Sequence, residues 1–157
     1  GIRDYKVTGV QTCALPIYLV IRDKVKDDTV SDRKTGLIWK RCPEGTKWTG
    51  NMSRPCEGKV REFKQQEALW WAQDSGGGWR LPTKSELESL IEKRAPGAQG
   101  PAIDRIAFPD TYTCCYWSST EDKSDLGKSW MVSFESGESR RTFSTDSFAV
   151  RLVKGGK

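Results

Sequence analysis

The chain contains no histidine, and that absence removes several kinds of chemistry. A Ser–His–Asp triad, a histidine zinc ligand and an imidazole pH switch are all excluded. Long apolar runs are missing as well. The longest, Ala68–Ala72 among them, have five residues, where a bilayer-spanning helix needs about 20. There is no internal repeat and no low-complexity segment. What is present is 157 residues, 36% hydrophobic and 30% charged, with seven Trp and a formal net charge of +5. These proportions fit one polar-surfaced folded domain rather than a disordered chain.

The first seventeen residues, GIRDYKVTGVQTCALPI, read differently from the rest. Val7 to Ile17 resembles the translation of a common sequencing-library adapter. Gly1 to Asp4 resembles the end of the preceding adapter segment in the same frame, with Tyr5-Lys6 as the index between them. Residues 1–17 are therefore expected to be adapter-derived, and the native domain to occupy 18–157. The competing reading is a short N-terminal strand or a signal-peptide remnant. Setting 1–17 aside removes Arg3, Lys6, Asp4 and Cys13, which leaves a net charge of +4 and an even set of four cysteines. The native start, with any signal peptide, lipid anchor or stalk, is then expected to lie outside this sequence.

Local patterns give an element order. Thr29–Asp32 and Leu37–Lys40 flank a polar turn closed by Gly36 and predict a hairpin. Residues 41–59, with Pro43, Gly45, Gly50 and Pro55, predict a loop between Cys42 and Cys56. Residues 62–74 carry apolar groups at Phe63, Leu69, Trp70 and Ala72 and predict a helix stopped by Ser75 and the following glycines. Thr83 and Glu86 spell a capping box after Pro82, and Leu87, Leu90 and Ile91 form one apolar stripe behind it. Residues 94–111 predict a long ordered connection. Strands are expected at Tyr116–Ser119, Ser129–Phe134, Ser139–Phe143 and Phe148–Val153. In the second of these, Trp130, Val132 and Phe134 alternate with Met131 and Ser133, so one face should be buried. The sum is an α+β domain with two helices and a β-rich C-terminal half. Trp39, Trp79, Trp117 and Trp130 are expected to build its core, and Arg80 and Arg151 to form ion pairs with Glu86 or Asp104.

Cys42 and Cys56 would close a polar loop that lacks apolar content apart from Trp48 and Met52. A structural disulfide is the preferred reading, worth about 3 kcal/mol in the chain-entropy model, and it implies an oxidising compartment. A metal pair is the alternative, although neither a histidine nor a second well-spaced cysteine pair accompanies it. Cys114 and Cys115 stay open between a bridge to one another, two buried thiols, a bridge elsewhere and a reactive thiol.

Several segments together carry a family resemblance: VSDRKTGLIWKRC (30–42), ALWWAQ (68–73), GWRLPTKSELESLIE (78–92), AIDRIAFPDT (102–111), YWSST (116–120), SWMVSF (129–134) and VRLVKGG (150–156). Over 24–156 the chain resembles the C-terminal domain of the Lcl collagen-like adhesin. That domain is related to the formylglycine-generating branch of the C-type lectin fold. The resemblance implies a C-type-lectin-like α+β fold, an adhesive role and sulfated polysaccharide as one ligand class. It is more specific for fold than for function.

The charge pattern points the same way. Between residues 40 and 64 the chain carries seven basic and three acidic residues. Lys40, Arg41, Lys47, Arg54, Lys59 and Arg61, with an exposed Trp48, form the candidate polyanion-binding set, on a flap braced by Cys42–Cys56. Nucleic acid fits the charge equally, but cysteines suited to an oxidising compartment argue against it. The E-P-N, Q-P-D and W-N-D triplets of calcium-dependent lectins are absent, so no metal and no cofactor are expected; a divergent calcium site would have to use Asp122–Asp125. The expected role is a non-catalytic module in the periplasm, on the cell surface or secreted. One alternative is a formylglycine-generating-type oxidase, which needs a positioned thiol pair that Cys114-Cys115 does not match. The other is a hypervariable ligand-display domain, for which residues 135–149 lack the usual Asn and Tyr.

Overall fold

A computed structural model describes residues 27–93, 95 and 97–156, with the backbone of Tyr5 and Lys6. The rest of 1–17, Cys13 included, lies outside the described residues. The fold is α+β. Strands β1 (Tyr5–Lys6), β2 (Thr29–Asp32) and β3 (Leu37–Lys40) open the chain, followed by β4 (Thr46–Trp48), β5 (Cys56–Gly58) and β6 (Glu62–Phe63). Helices α1 (Gln65–Asp74) and α2 (Lys84–Glu88) come next. Strands β7 (Cys115–Glu121), β8 (Lys128–Ser133), β9 (Glu138–Phe143), β10 (Phe148–Ala149) and β11 (Val153–Gly155) complete the order.

The strands form a four-stranded sheet, β1-β2-β3-β11, a five-stranded sheet, β6-β10-β7-β8-β9, and the separate hairpin β4-β5. The β2–β3 turn forms as expected. Gly36 takes a left-handed φ of 73° and donates its N–H to the Asp32 carbonyl at 2.8 Å. The buried Asp32 carboxylate accepts from Lys34 N and the Thr35 hydroxyl, which satisfies the turn from within.

Helix α2 begins at the capping box read from the sequence. Thr83 Oγ1 accepts from Glu86 N at 3.2 Å, and Glu86 Oε2 accepts from Thr83 N at 2.8 Å. Glu86 also takes a two-pronged bond from Arg80, at 2.7 and 2.6 Å. Helix α1 starts at Gln65 rather than at residue 62. The reason is that Glu62–Phe63 is claimed by the sheet, where Phe63 pairs with Phe148.

Two further expectations need correction. The 148–153 segment is not one strand. Ala149 pairs in parallel with Tyr116 in one sheet, whereas Val153 pairs with Trp39 in the other. The chain crosses between sheets at Val150, Arg151 and Leu152, all buried. In β8 burial extends beyond the one expected face. Val132 belongs to the core cluster that includes Val30, Trp39, Leu87 and Tyr116, while Met131 belongs to the one that includes Ala68, Trp117 and Leu152. Helix α2 covers the Val132 face and α1 the Met131 face, so side chains of both parities are buried. Trp39 and Trp117 have no exposed surface, but Trp79 and Trp130 are only half-buried. Trp130 lies beneath the Lys84 ammonium, 3.7 Å from the ring centre.

Burial alone would push the Glu86 carboxyl up, but the hydrogen bonds from Arg80 and Thr83 outweigh it and hold the group below its ordinary value. Its contribution to stability is thus complete above the ordinary carboxylate pKa and fades as pH falls through the lower folded value. Glu86→Gln should cost about 1 kcal/mol at neutral pH, allowing for solvent screening around the exposed part of Arg80. Urea denaturation should show the gap between the two proteins closing as the solution is acidified below about pH 4. A gap constant with pH would refute this account of the cap.

Candidate functional site

The hairpin β4-β5 lies inside the segment read as a loop, so that segment has its own backbone ladder. Thr46 faces Gly58, Lys47 faces Glu57 and Trp48 faces Cys56. Cys42 and Cys56 are joined, with Cα atoms 5.7 Å apart, well within the normal range for a disulfide. The bridge is thus one of several ties on this flap. Gly45 supplies another. It has a φ of 91°, and a Cβ there would sit 2.4 Å from the Lys59 carbonyl oxygen. Only glycine lets these two stretches of backbone approach so closely. At the far side Cys56 N donates to Asp110 Oδ2 at 3.2 Å.

The candidate cations divide into two groups. Arg41 is interior, 1% exposed, and leaves the polyanion set. Its guanidinium donates to the carbonyl oxygens of Ala107 and Ile106, at 3.2 and 2.7 Å, and lies 4.0 Å from the Trp48 ring centre. Burial lowers its pKa to about 10 against the pull of Asp104 and Asp27, so it stays charged at neutral pH. Trp48, expected to be exposed, is half-buried against it. Lys40 is engaged too: its ammonium binds the buried Glu44 at 2.9 Å and sits over Trp79. The other oxygen of Glu44 accepts from Trp71 Nε1 at 2.8 Å, which fastens the start of the flap to α1.

Lys47, Arg54, Lys59 and Arg61 are all exposed, and none forms an ion pair among the described residues. The Arg61 guanidinium lies over Phe63 and Trp71, its carbon 4.5 and 4.6 Å from their ring centres. Lys59 and Arg61 border a groove of about 700 Å³ that also holds Glu62 and Tyr112. Arg54 borders a neighbouring recess of about 630 Å³ with Glu57 and Asp110.

Arg80 pairs with Glu86 as expected, but Arg151 does not meet Asp104. It donates to the carbonyls of Lys40 and Arg41 and to Thr111 Oγ1. Asp122 accepts from Ser124 and from Arg141 at 3.2 Å, and Asp125 pairs with Lys128 at 2.6 Å. Each of these two carboxylates is paired with a cation of the chain. No group of three or more His, Cys, Asp or Glu suited to a metal occurs among the described residues. Cys114 and Cys115 are bridged to each other, with Cys115 in the core. Sequence reading missed Trp70, which is 62% exposed on α1.

The Lcl C-terminal domain profile matches residues 28–154. The chain belongs to the Lcl C-terminal domain family. No curated protein matches it. No helix among the described residues of this Lcl C-terminal domain is long and apolar enough to cross a membrane.

Replacing both Cys42 and Cys56 by Ala should lower stability by about 3 kcal/mol, because the open chain regains the entropy of a fifteen-residue loop. Chemical denaturation of the double variant measures it. A loss well under 1 kcal/mol would mean that Gly45, Arg41 and the β4-β5 ladder hold the flap without the bridge.

Proposed function

We propose that this domain is a non-catalytic binding module of an oxidising compartment, the periplasm, cell surface or exterior, and that its flap takes an anionic polysaccharide. The observation that carries the reading is the set Lys47, Arg54, Lys59 and Arg61. These are four exposed cations on one braced segment, none of them neutralised by an ion pair among the described residues. The Cys42–Cys56 disulfide supports the compartment, since such bridges persist where thiols are not kept reduced. The same compartment disfavours nucleic acid as the partner. A sulfated polymer, the ligand class implied by the resemblance to the adhesin domain, would gain from the release of counterions around its sulfates. Lys40 and Arg41 contribute by fixing the flap rather than by touching ligand.

The domain should be retained on immobilised heparin at low salt and elute steeply between about 50 and 200 mM salt. Reversing charge at Lys47, Arg54 and Lys59 together should abolish retention with no change in thermal stability. Retention by the reversed variant equal to wild type would end the polyanion reading.

A further inference from the structure

Helix α1 carries a surface that the flap does not use. Ala68 and Ala72 are buried and define its inward stripe. Trp70 lies about 200° round the axis from Ala68, and its ring faces water, 62% exposed. An open recess of about 610 Å³ adjoins it, bordered by Arg61, Glu67, Trp70, Trp71, Gln73 and Asp74.

One wall of this recess is rigid. Trp71 is held by its Nε1 bond to Glu44, and its ring centre is 5.6 Å from that of Phe63. The Arg61 guanidinium lies over both rings. The opposite rim is unused. The Trp70 indole N–H, the Gln73 side-chain amide and the Asp74 carboxylate have no hydrogen-bond partner among the described residues. The recess therefore offers a flat indole face ringed by donors and acceptors of both kinds.

Charge narrows the ligand. Glu67 and Asp74 would repel a sulfate or phosphate chain, and Arg61 would repel an ammonium or guanidinium group. An uncharged ring with one C–H face and a rim of hydroxyls suits both the indole and the mixed polar groups. We propose that this recess binds a neutral saccharide ring stacked on Trp70, with its hydroxyls bonded to Gln73, Asp74 and Arg61. The proposal stands apart from the polyanion reading and shares only Arg61 with it.

The test titrates the full chain with three uncharged oligosaccharides, cellohexaose, xylohexaose and chitohexaose, and follows the tryptophan indole N–H resonances. With at least one of them, a single indole signal should shift, and Trp70→Ala should remove that signal. The shift should persist when salt is raised. Trp70→Ala should weaken binding about tenfold or more, Trp70→Phe should retain part of it, and Asp74→Asn should weaken it less. The ring is mostly in water, so the buried indole signals of Trp39 and Trp117 should stay unchanged and report an intact fold. The variant reversed at Lys47, Arg54 and Lys59 should bind the sugar as wild type does, even where it has lost heparin. The proposal is overturned if no sugar shifts the Trp70 signal or if Trp70→Ala binds as tightly as wild type. It also fails if the binding is lost with salt and displaced by heparin.

Discussion

Arg41 and Arg151 have almost no contact with water, and their guanidinium groups are bonded to backbone carbonyls rather than to carboxylates. A buried cation costs several kcal/mol unless its donors are satisfied. These two offset part of that cost by gathering segments far apart in sequence, while Arg41 Nη1 and Arg151 Nε have no hydrogen-bond partner among the described residues. Arg151 sits where the C-terminal chain crosses from one sheet to the other and reaches the carbonyls of Lys40 and Arg41 and the hydroxyl of Thr111. Arg41 continues the chain of contacts to the 106–107 backbone and to the Trp48 ring. Burial pushes the Arg151 pKa down, and Phe108 and Tyr116 present ring faces to its charge, 5.0 and 5.6 Å away. The two sheets, the connection after α2 and the flap are thereby mutually dependent.

The flap inherits its shape from this arrangement. Arg41 anchors it from beneath, Glu44 ties its entry to Trp71, and the disulfide closes its base. Gly45 lets its first strand lie against the 59–61 backbone. A segment so rich in charge and so poor in apolar side chains holds one form because neighbouring elements supply the contacts it cannot make internally. Holding the backbone also fixes the points from which the exposed side chains of Lys47, Arg54 and Lys59 leave the flap.

Helix α1 serves two surfaces for a related reason. Its small residues, Ala68 and Ala72, are buried in the cluster that holds Trp117, Met131 and Leu152. Trp70, two positions on from Ala68, falls on the opposite side of the helix, next to the wall formed by Trp71 with Glu44 and Arg61. The same packing that buries one face of the five-stranded sheet thus sets up an aromatic recess on the far side of the helix.

Short-range signals were readable in the linear chain. The Gly36 turn, the Thr83–Glu86 cap, the Cys42–Cys56 pair and the existence of β7, β8 and β9 each depend on neighbours in sequence or on a covalent bond between two cysteines. Charge clustering near residues 40–64 was equally visible. Tertiary structure decided which of those charges meet solvent, because Arg41 is consumed by carbonyls 65 and 66 positions away. It also divided 148–155 between two sheets, drew Glu62–Phe63 out of the helix and turned Trp70 outward. In each case the deciding partner lies on another element. Local periodicity reports which side chains share a face, whereas burial and pairing follow from what that face is packed against.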